Sequence, residues 1–508
     1  MRKQVKKDLY DVIEQLANIN ESFLVNGAII SQESAYEILS DCQQTAVELG
    51  NKVEESEGEG EATIHMLEEY CEKVFLLCVN WNDANVREKE LKNIRNLLKE
   101  IKNSILYDIN DSKKEVVFLP YKASMWDSLE SVWKAAEMDP ECNVYVIPIP
   151  YYDKNQDGSL GKMHYEGDLY PDYVPIIHYE TYDLEKRRPD VIFIHNPYDG
   201  GNLMTSVHPF FYTKNLKKIT EKLVYIPYFV FPGTFAEHFA LTSGVLFSDE
   251  IYVQNDITRE RYLETLQKKG LLREFFESKI FAFGTPKSDK VHSEMTVPRR
   301  VPKEWEDKIG NKRVIFLNTN VNLILNNAEF FTDNMQRIFR IFEQYSKQYA
   351  VIWREHPLSI QTLELMRPDL LVKYKQLVKE FEETTWGIID RNVEAYTAMC
   401  ISDCYFGAGG SLITLYSVTG KPMMVTDYKY PNGILEEEIT LDELMESGKN
   451  KTYFNEKNSN SLSLFLENMC LFEKQNEQRI AIINRCTYNI DGTVGQKIYE
   501  NTKRGSRI

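Results

Sequence analysis

Two of the eight histidines stand directly behind short apolar runs, where a strand would end and a ligand could begin. "VIFIHNPYDGGN" (191–202) reaches His195 and continues with Asn196, Tyr198 and Asp199. An imidazole next to a carboxylate can take a proton, provided the carboxylate orients the ring. "VIWREHPL" (351–358) places Arg354, Glu355 and His356 before Pro357, which blocks a helix interior. A guanidinium fork and an imidazole at one strand end suit a phosphorylated ligand. Each stretch also has a plain reading: an Asn/Asp/Gly turn for the first, a surface Arg–Glu pair beside a core histidine for the second.

A third segment, "ISDCYFGAGGSLITLYSVTGKPMMV" (401–425), reads as strand, glycine cluster, helix and strand. Gly407, Gly409 and Gly410 would let backbone approach a ligand closely. The helix starting at Ser411, with Thr414 one turn on, would present unpaired N–H groups to an anion. A tight turn with a serine cap is the alternative. "FVFPGTFAEHF" (229–239) offers Gly233 and Thr234 at a helix start, with His238 beyond; Thr234 is equally a simple cap. "FGTPKSDK" (283–290), with Lys287 and Asp289, reads as an inter-domain turn with at most one ligand contact. "DKNQDGSLGKMH" (153–164) begins like a calcium loop but has His164 where a bidentate glutamate is required, so it reads as a hairpin turn.

These motifs need elements to carry them. Residues 1–112 are rich in helix formers with apolar residues at three- and four-residue steps, which predicts an N-terminal helical region. The acidic stretch 54–61 predicts an exposed loop within it. From residue 113 to 295, short apolar runs alternate with helical stretches, the pattern of a parallel sheet covered on both faces. Residues 292–305 read as a linker, and 305–450 repeat the alternation. Residues 451–508 read as helices packing back across both domains. The predicted fold class is α/β: two Rossmann-like doubly wound domains preceded by an N-terminal helical bundle.

The composition excludes several functions. A net charge of −17 argues against general nucleic-acid binding. No apolar run approaches the roughly 18 residues of a bilayer span. The basic start (Arg2, Lys3, Lys6, Lys7) lacks an apolar core behind it, so it is not a secretory signal, though it could touch anionic lipid. Eight cysteines with no C-x-x-C pair read as reduced core thiols of a cytoplasmic protein. Neither a P-loop, a dinucleotide fingerprint nor a D-x-D at a strand end occurs, so metal-independent handling of a diphosphate is expected.

Taken in order, these segments resemble the CDP-glycerol glycerophosphotransferase family of teichoic-acid polymerases and primases, which has a glycosyltransferase-B-like fold. "FGTPKSDKV" resembles that family's G-x-P-R-x-D segment, and "WREHPL" its R-x-H-P motif. "ISDCYFGAGGSLITLYSVTGKPMMV" resembles its S-D-x-S-S…D…K-P segment. The likeness covers about residues 115–430. It implies that Arg354 and His356 face a donor diphosphate and that Ser402 and Asp403 match the family's Ser-Asp. It also implies that Gly409, Gly410 and Ser411 lie beneath the phosphates, and that Lys421 matches the lysine of K-P. Two positions depart: "YIPYFVFPGT" stands in place of the histidine of W-H-G-T-P, leaving His195 or His238 as the expected base, and Gly407–Gly410 replace paired serines.

The implied function is transfer of a polyol-phosphate unit from a CDP-activated donor to a hydroxyl of a surface glycan or lipid-linked teichoic-acid precursor, releasing CMP. No cofactor or metal is expected beyond the donor. The location expected is cytoplasmic, with peripheral contact at the inner membrane face as an option. Alternatives are a nucleotide-sugar glycosyltransferase of the same shape and a non-catalytic nucleotide- or glycan-binding partner.

Overall fold

The structure, a computed structural model, describes residues 1, 3–26, 30–58, 61–109, 112–155, 157–231, 235–297, 301–327, 330–392, 394–426, 438–456 and 458–504. Residues 1–114 and 115–508 form two compact units. The first is built from helices Lys3–Asn26, Gln32–Glu57, Ala62–Val79 and Ala84–Tyr107. Each turns one apolar stripe inward, for example Leu9, Ile13 and Leu16 on the first and Leu91, Ile94 and Ile101 on the fourth. The first half of the acidic loop expected at 54–61 is helix instead: the second helix continues to Glu57 and stops at Gly58, whose φ is +90°. Exposed glutamates are good helix formers, and only the glycine ends the run. Lys6 is drawn inside, its ammonium donating to the Ile109 carbonyl at 2.8 Å.

Fifteen strands follow among the described residues. They are β1 (Lys114–Leu119), β2 (Cys142–Val146), β3 (Tyr151–Lys154), β4 (Leu160–His164), β5 (Val191–Ile194), β6 (Thr205–Val207), β7 (Lys222–Tyr225), β8 (Glu250–Val253) and β9 (Ile280–Ala282). After them come β10 (Arg313–Asn318), β11 (Tyr349–Arg354), β12 (Gly387–Ile389), β13 (Cys404–Gly407), β14 (Met423–Val425) and β15 (Phe454–Asn455). One six-stranded sheet runs in the order β2-β1-β5-β7-β8-β9, and a second in the order β12-β11-β10-β13-β14-β15. Every pairing in the second sheet is parallel, as are those from β1 through β9 in the first. Strands such as Val314–Leu317 and Ala350–Trp353 are fully buried, which requires helices on both faces.

This is the α/β fold of two Rossmann-like doubly wound sheets that the alternation predicts. The hairpin expected at 153–164 is present as β3 and β4, and β3 also pairs with β6 to complete a small antiparallel sheet. Helices enter the expected linker from both sides: Pro286–Thr296 runs into it and Lys303–Ile309 begins within it. At the C-terminus, helices Ser461–Glu467 and Met469–Glu473 bury Leu462, Phe465 and Phe472 in the core of the second sheet. Helix Val494–Arg504 returns to the first sheet, burying Val494, Ile498 and Tyr499. Its first N–H groups, Val494 and Gly495, donate to the Asp289 carboxylate at 3.1 and 2.8 Å, a charge-assisted cap.

Candidate functional site

In the second sheet the chain starts at the central β10, winds outward through β11 and β12, and then crosses to β13. The strand order therefore reverses between β10 and β13. Helices leave the carboxyl ends of these two strands on opposite faces, and a crevice opens between them. A cavity of about 600 Å³ lies there. Asn318 and Asn320 line it from the end of β10, Arg354 and His356 from β11, and Gly409, Gly410 and Ser411 from the turn after β13. Ser124, Asp127 and Lys287 close it from the first half. The motifs at 354–356 and 409–411 thus face one space.

Arg354 is almost buried, and its Nη1 donates to Asp390 Oδ2 at 2.7 Å and to the Asn392 carbonyl at 3.1 Å. Asp390 ends the neighbouring strand, so the guanidinium is fixed by the sheet itself. Glu355 turns the other way, accepting from the Tyr374 hydroxyl at 2.5 Å. His356 accepts the Leu358 N–H on Nδ1 at 3.2 Å. An N–H must donate, so the neutral ring carries its proton on Nε2. Withdrawal from water against the cleft wall, with the Arg354 charge beside it, holds the His356 pKa below the usual imidazole value. His356 is therefore a neutral hydrogen-bond donor at the cavity wall.

The glycine turn is shaped by close packing. At Gly407, φ is +144° and a Cβ would stand 2.1 Å from the Asn318 carbonyl oxygen, so only glycine fits against β10. Gly410 has φ of +156°, but a Cβ there would meet only Asn320 Nδ2, at an ordinary 3.8 Å. Asn320 spans the two strand ends: its Nδ2 donates to the Gly409 carbonyl and its Oδ1 accepts the Leu323 N–H, both at 2.7 Å. Thr414 is buried, and its hydroxyl donates at 3.4 Å to the Phe231 carbonyl of the first half.

The opposite wall joins Lys287, named in the sequence, to residues that motif reading missed. Lys287 pairs with Asp127 Oδ1 at 2.5 Å, while Asp127 Oδ2 accepts the hydroxyl of Tyr396 from the second half. Lys287 belongs to a stretch that read as a turn. Asp127 ("ASMWDS"), Tyr396 and Glu394 carry no local signature, because their roles arise from contacts between distant parts of the chain.

Several expected site residues lie elsewhere. His195, the expected base, is fully buried behind the β1 end. Its Nε2 accepts the Tyr121 N–H at 3.0 Å, and its Nδ1 lies 2.9 Å from Ser128 Oγ and 3.2 Å from the Met125 carbonyl. Burial and the Lys287 charge push its pKa down to about 3. It is a neutral brace between β1, β5 and the 123–128 turn, with no face for a substrate. Asn196 caps its own turn by accepting the Tyr198 N–H at 3.1 Å. Asp199, at φ of +51°, accepts the Thr213 N–H at 3.0 Å and its hydroxyl at 2.6 Å. Burial raises both the Tyr198 phenol and the Asp199 carboxyl. These three build a turn, and none lines the cavity. His238 is exposed against Phe239 and is likewise outside it; Gly233 and Thr234 lie outside the described residues.

Ser402, Asp403 and Lys421 sit at the amino ends of β13 and β14, across the sheet from the glycine turn. Ser402 Oγ donates to the Met399 carbonyl, and Asp403 Oδ2 accepts the Val314 N–H at the start of β10. Lys421 donates to the Met399, Cys400 and Ser402 carbonyls, closing the end of helix Tyr396–Ile401. The four buried residues of β13 separate this group from Gly409–Ser411, so the two ends of that motif cannot grip one ligand. Among the described residues no cluster has metal-binding geometry and no helix is long and apolar enough to cross a membrane.

No family model matches the chain, and no curated protein matches it in sequence. Several solved structures align with it. A protein named as a UDP-N-acetylglucosamine 2-epimerase, from Listeria monocytogenes, aligns over 78% of this chain and 97% of its own, with 14% identity and a TM-score of 0.47. The UDP-GlcNAc 2-epimerase of Neisseria meningitidis bound to UDP-GlcNAc aligns over 77% and 100%, with 11% identity and a TM-score of 0.44. The wall teichoic acid polymerase TagF soaked with CDPG aligns over 83% and 98%, with 13% identity and a TM-score of 0.43.

Proposed function

We propose that residues 115–508 form a transferase that takes a nucleotide-activated polyol phosphate, with CDP-glycerol as the leading donor. The unit passes to a hydroxyl of a surface-glycan or lipid-linked precursor, and CMP leaves. One observation carries the reading: Arg354, His356 and the Gly409–Ser411 turn line the same cavity at the strand-order reversal. That crevice is where open α/β sheets bind phosphorylated ligands. The motif order shared with the glycerophosphotransferases supports the choice of donor.

In this scheme the acceptor oxygen attacks the distal phosphorus and forms the new P–O bond. The bond to the bridging oxygen breaks, and its electron pair leaves with CMP. His356 Nε2–H, the Asp390-held guanidinium and the first N–H groups of helix Ser411–Ser417 would stabilise charge on the phosphate oxygens. A lipid-linked acceptor would bring the protein to the inner membrane face.

The test is a thermal-shift panel of CMP, CDP, UDP and GDP, followed by analysis of the nucleotide released from CDP-glycerol and from nucleotide sugars. A cytidine-specific rise with CMP as product is expected, together with loss of the rise in Arg354→Ala. UDP or GDP released from a sugar donor would instead make the protein a glycosyltransferase. Binding without turnover of any donor would make it a nucleotide-binding partner.

A further inference from the structure

Any hydroxyl that attacks phosphorus in this cleft must lose a proton, and the histidines do not provide a place for it. His195 is sealed inside the first half with both ring nitrogens engaged, and His238 does not line the cavity. His356 does, but its Nδ1 lone pair is occupied by the Leu358 N–H and its Nε2 already carries a proton. Among the described residues two carboxylates line the cavity, Asp127 and Glu394. Asp127 has both oxygens committed, one to the Lys287 ammonium and one to the Tyr396 hydroxyl. Glu394 differs: among the described residues its carboxylate has no hydrogen-bond or ion-pair partner, and its side chain is exposed to the cleft.

We propose that Glu394 accepts the proton of the attacking hydroxyl, a role that rests on the transferase reading above. Its main chain is held for this purpose: Arg354 Nη1 donates to the Glu394 carbonyl at 3.4 Å, tying the loop after β12 to the end of β11. Its charged surroundings come from both halves. Asp127, Glu130 and Glu294 face it from the first half and oppose its ionisation, while Lys290 on helix Pro286–Thr296 favours it. His356 and Arg354 line the same cavity from β11, and Lys287 is neutralised by Asp127. Although open to the cleft, the carboxyl lies between protein walls that thin its hydration, and this burial is the main cause of a pKa above the usual carboxylate value. A base with a pKa moved toward working pH transfers protons more effectively.

In the step proposed, the acceptor O–H proton moves to a Glu394 carboxylate oxygen as the acceptor oxygen bonds to phosphorus and CMP departs. Release of that proton to water resets the site.

The experiment measures CMP release from CDP-glycerol with glycerol as the hydroxyl acceptor, from acidic to mildly alkaline pH. Glu394→Gln is expected to lose about 10²–10⁴-fold in kcat while keeping the CMP-induced thermal shift. Glu394→Asp is expected to recover part of the loss. The wild-type rate is expected to rise with pH as Glu394 ionises, a limb that Glu394→Gln lacks. If wild type releases CMP and Glu394→Gln matches it, or keeps the same pH limb, the assignment is overturned and the transferase stands. If wild type releases no CMP, the transferase reading itself fails, and the role of Glu394 with it.

Discussion

His195 shows how an apparent catalytic residue becomes structural. Its ring fills the space between two strand ends and satisfies the Tyr121 N–H, which would otherwise be buried without a partner. Replacement by leucine keeps the volume but orphans that donor, so a loss of about 1–3 kcal/mol is expected. The pH dependence has a definite sign. The folded pKa of about 3 lies below the ordinary 6.5, so the unfolded chain binds the proton first as pH falls. The stability supplied by the neutral ring is present above the unfolded value and is lost as pH drops toward the folded one. The slope is about 1.4 kcal/mol per pH unit at most. Denaturant melts across that window should show a steeper decline for wild type than for His195→Leu; equal slopes would refute the buried neutral ring.

At the scale of elements, the turn after β13 separates packing from ligand contact. Gly407 is pressed against the β10 main chain, whereas a Cβ on Gly410 would make only an ordinary contact with the Asn320 side chain. Gly407→Ala must therefore push two paired strands apart and bring a strained φ as well, and the expected cost is several kcal/mol, or failure to accumulate folded protein. Gly410→Ala meets only the conformational penalty, about 1–3 kcal/mol, and should still fold. Side-by-side thermal melts test this ordering, and a more damaging Gly410→Ala would contradict it. The same strand explains why Ser402, Asp403 and Lys421 fall away from the cleft. A motif that runs through a strand has its two ends on opposite edges of the sheet, and only the carboxyl edge borders the crevice.

At the scale of the whole molecule, residues 115–508 are joined by contacts that skip far along the chain. Tyr396 reaches Asp127, Thr414 reaches Phe231, and the last helix returns to the first sheet on the Asp289 carboxylate. Asp289 is itself mostly buried, which raises its pKa, and the two capping N–H groups offset part of that rise. Asp289→Ala removes the cap and leaves two N–H groups without their acceptor, so a loss of about 2–4 kcal/mol is expected. Faster amide exchange should be concentrated in Val494–Arg504. Unchanged exchange there would show that apolar burial of Ile498 and Tyr499 alone holds the helix.

What the sequence determined by itself was local. Buried parallel strands must be apolar almost throughout, so runs such as "RVIFLN" and "YAVIWRE" announced their strands. Arg354, His356 and Gly409–Ser411 were legible because strand-end and turn residues carry their meaning within a few positions. The structure placed them around one cavity. Only the tertiary structure decided which neighbours they meet: that the 123–128 turn folds over His195, that Asp127 and Lys287 close the opposite wall, and that the Glu394 carboxylate has no partner among the described residues. Such roles depend on burial and long-range pairing, which the spacing of residues along a chain does not encode.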